Sequence, residues 1–194
     1  KNVGGFVMKK NYTLIVGISL AALLTSCVAQ LSFSSRPSIE TLLEARNIKV
    51  IKIGPIAVRW LPPNFPVKQD MQSPKGGGYR VMIPTGASLA SRIIEVLDET
   101  VGINNASNRI LRIAIFEAES KFDFSGNNLK FNQTIVAASC NFEAEFLIGK
   151  KAWTEKFFSE RSVSETNVLS QTAVLESVWD DISLQVAKSV ADNI

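Results

Sequence analysis

The stretch from Thr134 to Ile148, TIVAASCNFEAEFLI, has the most regular alternation of apolar and polar residues in the chain. Every second residue is apolar or small, namely Val136, Ala138, Cys140, Phe142, Ala144, Phe146 and Ile148. The positions between them include Ser139, Asn141, Glu143 and Glu145. Because successive side chains of a β-strand point to opposite faces of the sheet, the pattern predicts a strand with one buried and one open face.

The segments on either side of this stretch predict strands that pair with it. Residues 110–124 open with the same period of two, at Leu111, Ile113 and Ile115. Residues 152–163 contain Trp153, Phe157 and Phe158, which are aromatic residues typical of strands. Turn residues separate the three segments, at 126–128 (GNN) and at 149–151 (GKK). We therefore predict three consecutive antiparallel strands.

Two longer segments repeat an apolar residue every four positions and predict amphipathic helices. In residues 85–101 the repeat is Leu89, Ile93, Leu97 and Val101, and in residues 170–194 it is Val174, Val178, Ile182, Val186 and Val190. Gly102 is typical of a helix end. A shorter helix is predicted from Ser38, as the N-cap, to Arg46.

Two further strands are predicted, at 48–60 and 79–83, with Gly54-Pro55 indicating a bulge or an edge position in the first. The prolines between them predict a loop over residues 61–78. The resulting order, β-β-α-β-β-β-α, predicts an α+β fold. We expect a two-layer sandwich, a mostly antiparallel sheet with two amphipathic helices on one face, in a single domain of residues 48–194.

A different pattern precedes this domain. Lys9 and Lys10 are followed by an apolar run from Thr13 to Leu24 and then by Thr25, Ser26 and Cys27. At ~1.5 Å per residue, a helix of about a dozen residues is too short to cross a ~30 Å hydrocarbon core. The charges, the short apolar run and the small residues are typical of an export signal, here residues 8–26.

The tetrad Leu24-Thr25-Ser26-Cys27 resembles the lipobox of bacterial lipoproteins. The resemblance implies diacylglycerol on the Cys27 sulfur, cleavage before Cys27 and acylation, such as by palmitate, of the new amino terminus. With Val28 rather than aspartate in second place, it also implies an outer-membrane location facing the periplasm. A plain signal peptide and a buried helix are the alternatives. Residues 27–47 are then a lipidated tether and short helix, and residues 1–7 an upstream or added segment.

The net charge, the absence of histidine and the small number of cysteines argue against several classes of function. Lys1, Lys9 and Lys10 belong to the 21 basic residues but precede the predicted domain, whereas the 18 acidic residues all lie from Glu40 onward. The remaining chain is therefore neutral and shows no basic cluster, which argues against nucleic acid as a partner. There is no histidine, and Cys140 has no cysteine partner once Cys27 carries lipid. We predict no metal, no cofactor and no enzyme activity.

The remaining chemical groups have ordinary structural interpretations. Glu117 with Glu119, and Glu143 with Glu145, could serve acid–base or metal chemistry, but we expect them to belong to a solvated sheet face. Cys140 is predicted to be a small core residue, because no base is available to activate its thiol. The glycine run 76–78 lacks the order of a phosphate-binding loop.

Two surfaces are candidates for binding a partner. An apolar segment with rigid prolines, residues 60–66 (WLPPNFP), could dock a partner or fold back on the core, and its candidate residues are Trp60, Leu61 and Phe65. Asn141 marks the open face of the predicted sheet. Exposed phenylalanines at hairpin ends would form a further apolar patch, with candidates Phe122, Phe124 and Phe131.

The order of these elements resembles the auxiliary lipoproteins of ABC-type lipid transporters and, less closely, the lipopolysaccharide-assembly lipoprotein. The segments that carry the resemblance are Cys27, the 48–60 strand with its proline-rich loop, the 89–101 helix, the 109–113 strand, the hairpin through 142–144 and the helix ending at 186–190. The resemblance implies a non-enzymatic periplasmic part that holds or completes a lipid-trafficking complex.

We therefore predict a lipid-anchored accessory component of an envelope transport or assembly complex, with phospholipid as a further partner. The first alternative is a structural or stress-related lipoprotein that binds peptidoglycan or another envelope polymer. The second is a hydrolase that depends on carboxylates, for which Glu143 and Glu145 are the best candidates.

Overall fold

A computed structural model describes residues 28–48, 54–62, 65, 68–72, 80–128, 133–165 and 171–194. The predicted signal and Cys27 therefore lie outside the described residues. The strands are β1 (Val28–Gln30), β2 (Ala57–Leu61), β3 (Asp70–Gln72), β4 (Arg80–Ile83), β5 (Ile110–Asn128), β6 (Gln133–Ile148) and β7 (Lys151–Glu165). The helices are α1 (Ile39–Arg46), α2 (Thr85–Val101) and α3 (Gln171–Asn193).

The main sheet has the strand order β2-β5-β6-β7. The last three strands are antiparallel, as the alternation in residues 134–148 predicts, whereas β2 runs parallel to β5. On β6 the register places Phe142 between Ala118 of β5 and Phe157 of β7. All three of these side chains are buried, so one face of the sheet forms the floor of the core.

The helices α2 and α3 pack on this buried face and on each other. Their four-residue repeats lie in the core: Leu89, Ile93, Leu97, Val178, Ile182, Val186 and Val190 are fully buried. α2 has the predicted bounds, and Gly102 ends it with a φ of 78°. The predicted α+β sandwich with both helices on one face is confirmed.

The strand β5 contains a β-bulge that the sequence pattern does not reveal. Ile115 pairs with Ala144 and Glu117 with Glu143, so Phe116 is an extra residue in β5. Before the bulge the odd-numbered residues Leu111 and Ile113 are buried, and after it the even-numbered Ala118 and Phe122 are buried. A single inserted residue thus exchanges the two faces of the strand.

A second sheet of three strands shows that parts of the predicted loop and of the predicted tether are β-strands instead. It has the order β1-β4-β3, with β1 in the segment predicted as a tether and β3 in the predicted loop 61–78. Both strands have only three residues, too few to show an alternation, and β1 pairs with a strand about fifty residues further along the chain. Such pairing depends on the folded chain and leaves no local signal.

Two element boundaries also differ from the prediction. The first main-sheet strand begins at Ala57, and Gly54, with a φ of 83°, precedes it. Residues 49–53 of the predicted strand lie outside the described residues. The edge position predicted for this strand is confirmed, since β2 is the first strand of the sheet. Residues 126–128 extend β5 instead of forming the turn. Within the described ranges, none of the helices combines the length and apolar character that crossing a membrane requires.

Candidate functional site

The face of the main sheet opposite the helices is open, and we call it the outer face. Its residues alternate with those of the core along each strand, and they are Arg112, Glu117, Glu119, Asn141, Glu143, Glu145, Thr154, Lys156 and Phe158. These side chains are exposed or half-buried, whereas their neighbours Leu111, Phe142 and Phe157 are buried. This is the open face that the alternation of residues 134–148 predicts.

Two of the carboxylates of the outer face lie beside lysines. Lys156 Nζ lies 2.8 Å from Glu143 Oε2, and Lys121 Nζ lies 3.5 Å from Glu119 Oε2. The hydrogen bond to Glu143 raises the pKa of Lys156 above its ordinary value. Glu117 stands directly opposite Glu143 on the neighbouring strand. On the other side of Glu143, Lys156 of β7 stands opposite it and pairs with its carboxylate. The arrangement is that of a solvated sheet face with cross-strand ion pairs.

The described residues contain no cluster of three or more acidic, cysteine or histidine residues that could hold a metal ion. The two carboxylate pairs of the outer face stand on a solvated sheet surface, with lysines beside Glu119 and Glu143. This surface presents charged groups and exposed apolar side chains to a partner.

Three large apolar side chains are exposed on or beside the outer face. Phe158 is 55% exposed and pairs with Asn141, while Phe116 is 63% exposed at the bulge of β5. Leu61 is 42% exposed and ends β2, opposite Ala114, two residues before Phe116 on the adjoining strand. Leu61 and Phe116 are thus close neighbours at one edge of the face, and Phe158 lies on the other side of the charged pairs.

The two aromatic residues of the segment 60–66 pack on the core, while residues 63, 64 and 66 lie outside the described residues. Phe65 is only 5% exposed, and its ring lies 6.0 Å from that of Phe142. Trp60 is half-buried and packs on Phe65 at 5.2 Å between ring centroids. Trp60 and Phe65, predicted as partner-binding residues, therefore have a packing role, because their rings fill the end of the core. Leu61 and Asn141 remain accessible to a partner.

The predicted patch of phenylalanines is only partly within the described structure. Phe122 is 4% exposed and belongs to the core, because the β5 bulge turns the even-numbered residues inward. The side chain of Phe124 and the whole of Phe131 lie outside the described residues. Phe122, the one candidate whose side chain the structure describes, is therefore not part of an exposed patch.

Cys140 has the core role that its place in the sequence predicts. Its side chain is 1% exposed, and burial raises the pKa of the thiol to about 12. Its Sγ lies 3.7 Å from Ser120 Oγ, which in turn accepts a hydrogen bond from Trp179 Nε1 at 2.9 Å. A thiol that stays protonated at neutral pH is a poor nucleophile, so Cys140 is chemically inert in the folded protein.

A buried charged cluster between the helices escapes the sequence analysis. Arg92 of α2 is 1% exposed, and its Nε donates to Asp180 Oδ1 of α3 at 2.8 Å. Its Nη1 donates to the main-chain oxygen of Ser34 at 2.7 Å, and its guanidinium lies 5.3 Å from the ring centre of Trp179. Arg92 therefore joins both helices to the segment between β1 and α1.

The other atoms of this cluster hold the same segment. Asp180 Oδ2 accepts hydrogen bonds from Ser38 N at 2.9 Å and from Thr41 Oγ1 at 3.1 Å. Glu176 Oε1 accepts from Ser34 N at 2.8 Å, and Phe33 packs on Trp179 at 5.3 Å between centroids. The segment predicted to be a tether is thus part of the folded domain. The available signal was the place of Arg92, three residues after Leu89 and four before Val96, on the apolar face of the predicted helix.

Comparison with known proteins finds likeness in structure alone. No protein-family model matches the chain, and no curated protein matches it in sequence. A Xanthomonas campestris protein described by the family model DUF330 is similar in structure, with a TM-score of 0.51 and 14% identity over 86% of this chain and 95% of that one. This similarity shows a shared fold.

Two weaker structural similarities are to proteins described as lipoproteins. A minor lipoprotein from Acinetobacter baumannii has a TM-score of 0.44 and 10% identity over 75% of this chain and 95% of that one. The rare lipoprotein B from Shewanella oneidensis has a TM-score of 0.36 and 13% identity over 72% of this chain and 92% of that one. At these scores the likeness is too low to carry an argument about function.

Proposed function

We propose that this protein is a lipid-anchored, non-enzymatic accessory component of a cell-envelope transport or assembly complex. The observation that carries the proposal is the tetrad Leu24-Thr25-Ser26-Cys27 after a short apolar run. Lipid on Cys27, acting with an N-terminal acyl chain, gives stable anchoring, because each buried methylene contributes ~0.8 kcal/mol. The proposed location is the outer membrane, with the domain in the periplasm.

The accessory role is supported by what the outer face offers. Ion pairs such as Lys156–Glu143 can rearrange toward charges on a partner, and Leu61, Phe116 and Phe158 supply apolar contact at the margins. Protein interfaces combine a few large apolar or aromatic anchor residues with polar groups around them, and the outer face supplies both kinds of group. We therefore propose the outer face as the surface that meets a protein subunit of the complex.

The proposal is tested by photocrosslinking in cells. A photoreactive amino acid replaces Asn141 or Leu61 on the outer-face side, and a matched control replaces Lys188, which is exposed on α3 on the opposite side of the domain. We expect both outer-face positions to capture the same envelope protein, identified by mass spectrometry, and Lys188 to capture it weakly or not at all. Lipid in the adducts would point to lipid trafficking.

Two results would overturn this function. Capture of peptidoglycan fragments alone would favour a polymer-binding lipoprotein. Equal capture of many proteins from Asn141 and Lys188 would mean that the outer face has no specific partner.

The lipid anchor is tested separately: a Cys27→Ser variant is expected to leave the membrane fraction and to lose labelling by a fatty-acid analogue. Retention of both by the variant would refute the anchor.

A further inference from the structure

The strand β7 forms a long edge of the main sheet. It is the last strand in the order β2-β5-β6-β7, and it pairs with β6 without a bulge along its whole length. The main-chain oxygen of Phe158 accepts from Gln185 Nε2 of α3 at 3.2 Å, so it points away from β6. Because peptide groups alternate in direction along a strand, those of the even-numbered residues in 152–162 point off the sheet.

The pairing of the inner strands gives the same result independently. Ser120 of β5 donates its main-chain N–H to Asp70 rather than to β6. Its neighbour Glu119 therefore directs its peptide groups to its partner Asn141 on β6. Asn141 then has its own peptide groups turned toward β5, so Phe158, its partner on β7, does not share them.

The edge of β7 lacks the usual structural protection against a further strand. Natural edges are often shortened, bulged or interrupted by proline, whereas residues 151–163 contain no proline and pair regularly. Among the described residues, Gln185 is the one side chain that hydrogen-bonds to the main chain of this edge. Phe158, in the middle of the edge, is 55% exposed. The order of the charged residues therefore decides which strand can pair here.

The charges of β7 are symmetric about Phe158. Within residues 153–163 the charged residues are Glu155, Lys156, Glu160 and Arg161. If a second β7 runs antiparallel with Phe158 opposite itself, Lys156 lies opposite Glu160, and Glu155 lies opposite Arg161. Opposite charges directly across two strands stabilise their pairing, and like charges oppose it. Every charged residue of this segment thus meets an opposite charge, and the outward peptide groups meet each other.

Other registers lose this match. With the centre moved by one residue, to Phe157 or Ser159, no two of these charged residues lie opposite each other. With the centre moved by two residues, Lys156 lies opposite itself, or Glu160 does. The charge pattern therefore specifies a single register, with a two-fold axis at Phe158.

The helices leave room for this pairing. α3 contacts β6 and β7 alike, so its axis lies about half a strand spacing inside the edge. At ~4.8 Å between strands, the α3 helices of two copies would lie ~10 Å apart, a distance at which helices pack. Gln185 has to release the Phe158 oxygen, and the hydrogen bond from the second copy replaces the one that is lost.

We propose that a second copy of this chain adds antiparallel to the edge of β7, so that two main sheets join into one with Phe158 on the two-fold axis. The pairing satisfies the open edge and brings the two exposed Phe158 rings together. The segment before α1 packs on the helices, so it stays on the same side of the joined sheet in both copies. The inference does not depend on the proposed lipid anchor or on an envelope partner.

Cysteine crosslinking tests the register. The full chain carries Cys27→Ser, to exclude lipid and a further thiol, with Thr154→Cys and Ser162→Cys, two exposed positions that face each other in the dimer. Such pairs have Cα atoms ~5.5 Å apart, which suits a disulfide. Within one chain the two positions are ~26 Å apart along β7 and cannot join. Cys140 is buried with a pKa of about 12 and does not compete.

The two single-cysteine chains are the matched controls, because each position lies ~26 Å from its own copy in the dimer. With copper–phenanthroline as the oxidant, we expect the double variant to form a linked dimer at least about tenfold faster than either control, since pairing raises the effective thiol concentration. Equal rates would overturn the register. Sedimentation of the uncrosslinked chain as a monomer would overturn the dimer and leave the proposed function standing.

Charge reversal in the double-cysteine chain tests what specifies the register. Lys156→Glu or Glu160→Lys alone places like charges opposite each other, and we expect either to slow crosslinking several-fold and the two together to restore the rate. The control is Lys121→Glu, because Lys121 is also an exposed lysine beside a carboxylate, but on β5 away from the edge. Circular dichroism checks that each variant is folded. An equal effect of Lys121→Glu, or no restoration by the double reversal, would contradict the proposal.

Discussion

Arg92 shows at the scale of a single residue how the domain holds its N-terminal segment. A guanidinium that is 1% exposed must satisfy its donors inside the protein, and it does so with Asp180, Ser34 and the face of Trp179. A buried ion pair adds little net stability compared with an apolar pair of the same size, but the loss of one partner leaves the other uncompensated. The cluster therefore specifies which chain segment packs between the helices.

The first prediction at this scale concerns Arg92→Met, which keeps most of the apolar stem and removes the charge. Asp180 keeps its hydrogen bonds from Ser38 and Thr41 but loses its cation, so we expect the free energy of unfolding to fall by about 3 kcal/mol or more. Urea denaturation followed by circular dichroism measures this loss.

The matched control is Arg46→Met. Arg46 pairs with Glu99 at 2.7 Å, but the two side chains are 58% and 31% exposed. Water solvates both charges when the pair is broken, so the unfolding midpoint should scarcely move. Similar losses in the two variants would contradict the role assigned to the buried cluster.

At the scale of an element, the bulge in β5 decides which residues face the core. Phe116 is an extra residue, and beyond it Ala118, Ser120 and Phe122 point inward in place of the odd-numbered residues. An uninterrupted strand would instead have placed Glu117 and Glu119 beneath the helices. The position of one inserted residue thus protects the core from two carboxylates.

Two single-residue deletions test this interpretation, because each removes the bulge and shortens the strand equally. Deletion of Phe116 leaves Ile115, Glu117 and Ala118 opposite their present partners, and we expect a loss below about 1 kcal/mol. Deletion of Ala118 moves Glu117 opposite Phe142 in the core, and we expect a loss of about 3 kcal/mol or more. Urea denaturation of both variants gives the comparison, and equal losses would refute the account of the bulge.

At the scale of the whole molecule, the N-terminal segment from β1 to Ser38 contacts both the small sheet and the helices α2 and α3. β1 extends the small sheet, Phe33 covers Trp179, and Ser34 and Ser38 bind the charged cluster. The small sheet in turn covers the edge of β5 through the side chains of Asp70 and Gln72. The domain and the segment that leads to Cys27 are one structural unit.

Truncation tests this unity. A chain that begins at Val28 keeps all of these contacts and should unfold at the same urea concentration as the longer protein. A chain that begins at Arg36 loses β1, the Phe33 ring and the main-chain oxygen that Arg92 binds, and we expect a loss of about 2–4 kcal/mol. If the two truncated chains were equally stable, residues 28–35 would be a tether after all.

The amino-acid sequence by itself determined the elements with a repeating pattern. The alternation in 134–148 and the four-residue repeats at Leu89–Val101 and Val174–Val190 are local consequences of burying one face, so they specify the long strands and both helices. The same reasoning determined the burial of Cys140, which lies between Ala138 and Phe142 on the apolar face.

Only the tertiary structure decided the features that depend on residues distant in the chain. Three of these features each need a partner that folding brings near. They are the three-residue strands β1 and β3, the inward packing of Phe65, and the pairing of Arg92 with Asp180. The bulge at Phe116 likewise depends on the register with β6. Local periodicity reports which face of an element is buried, whereas the energy of these contacts arises between elements, and for that reason no single segment encodes them.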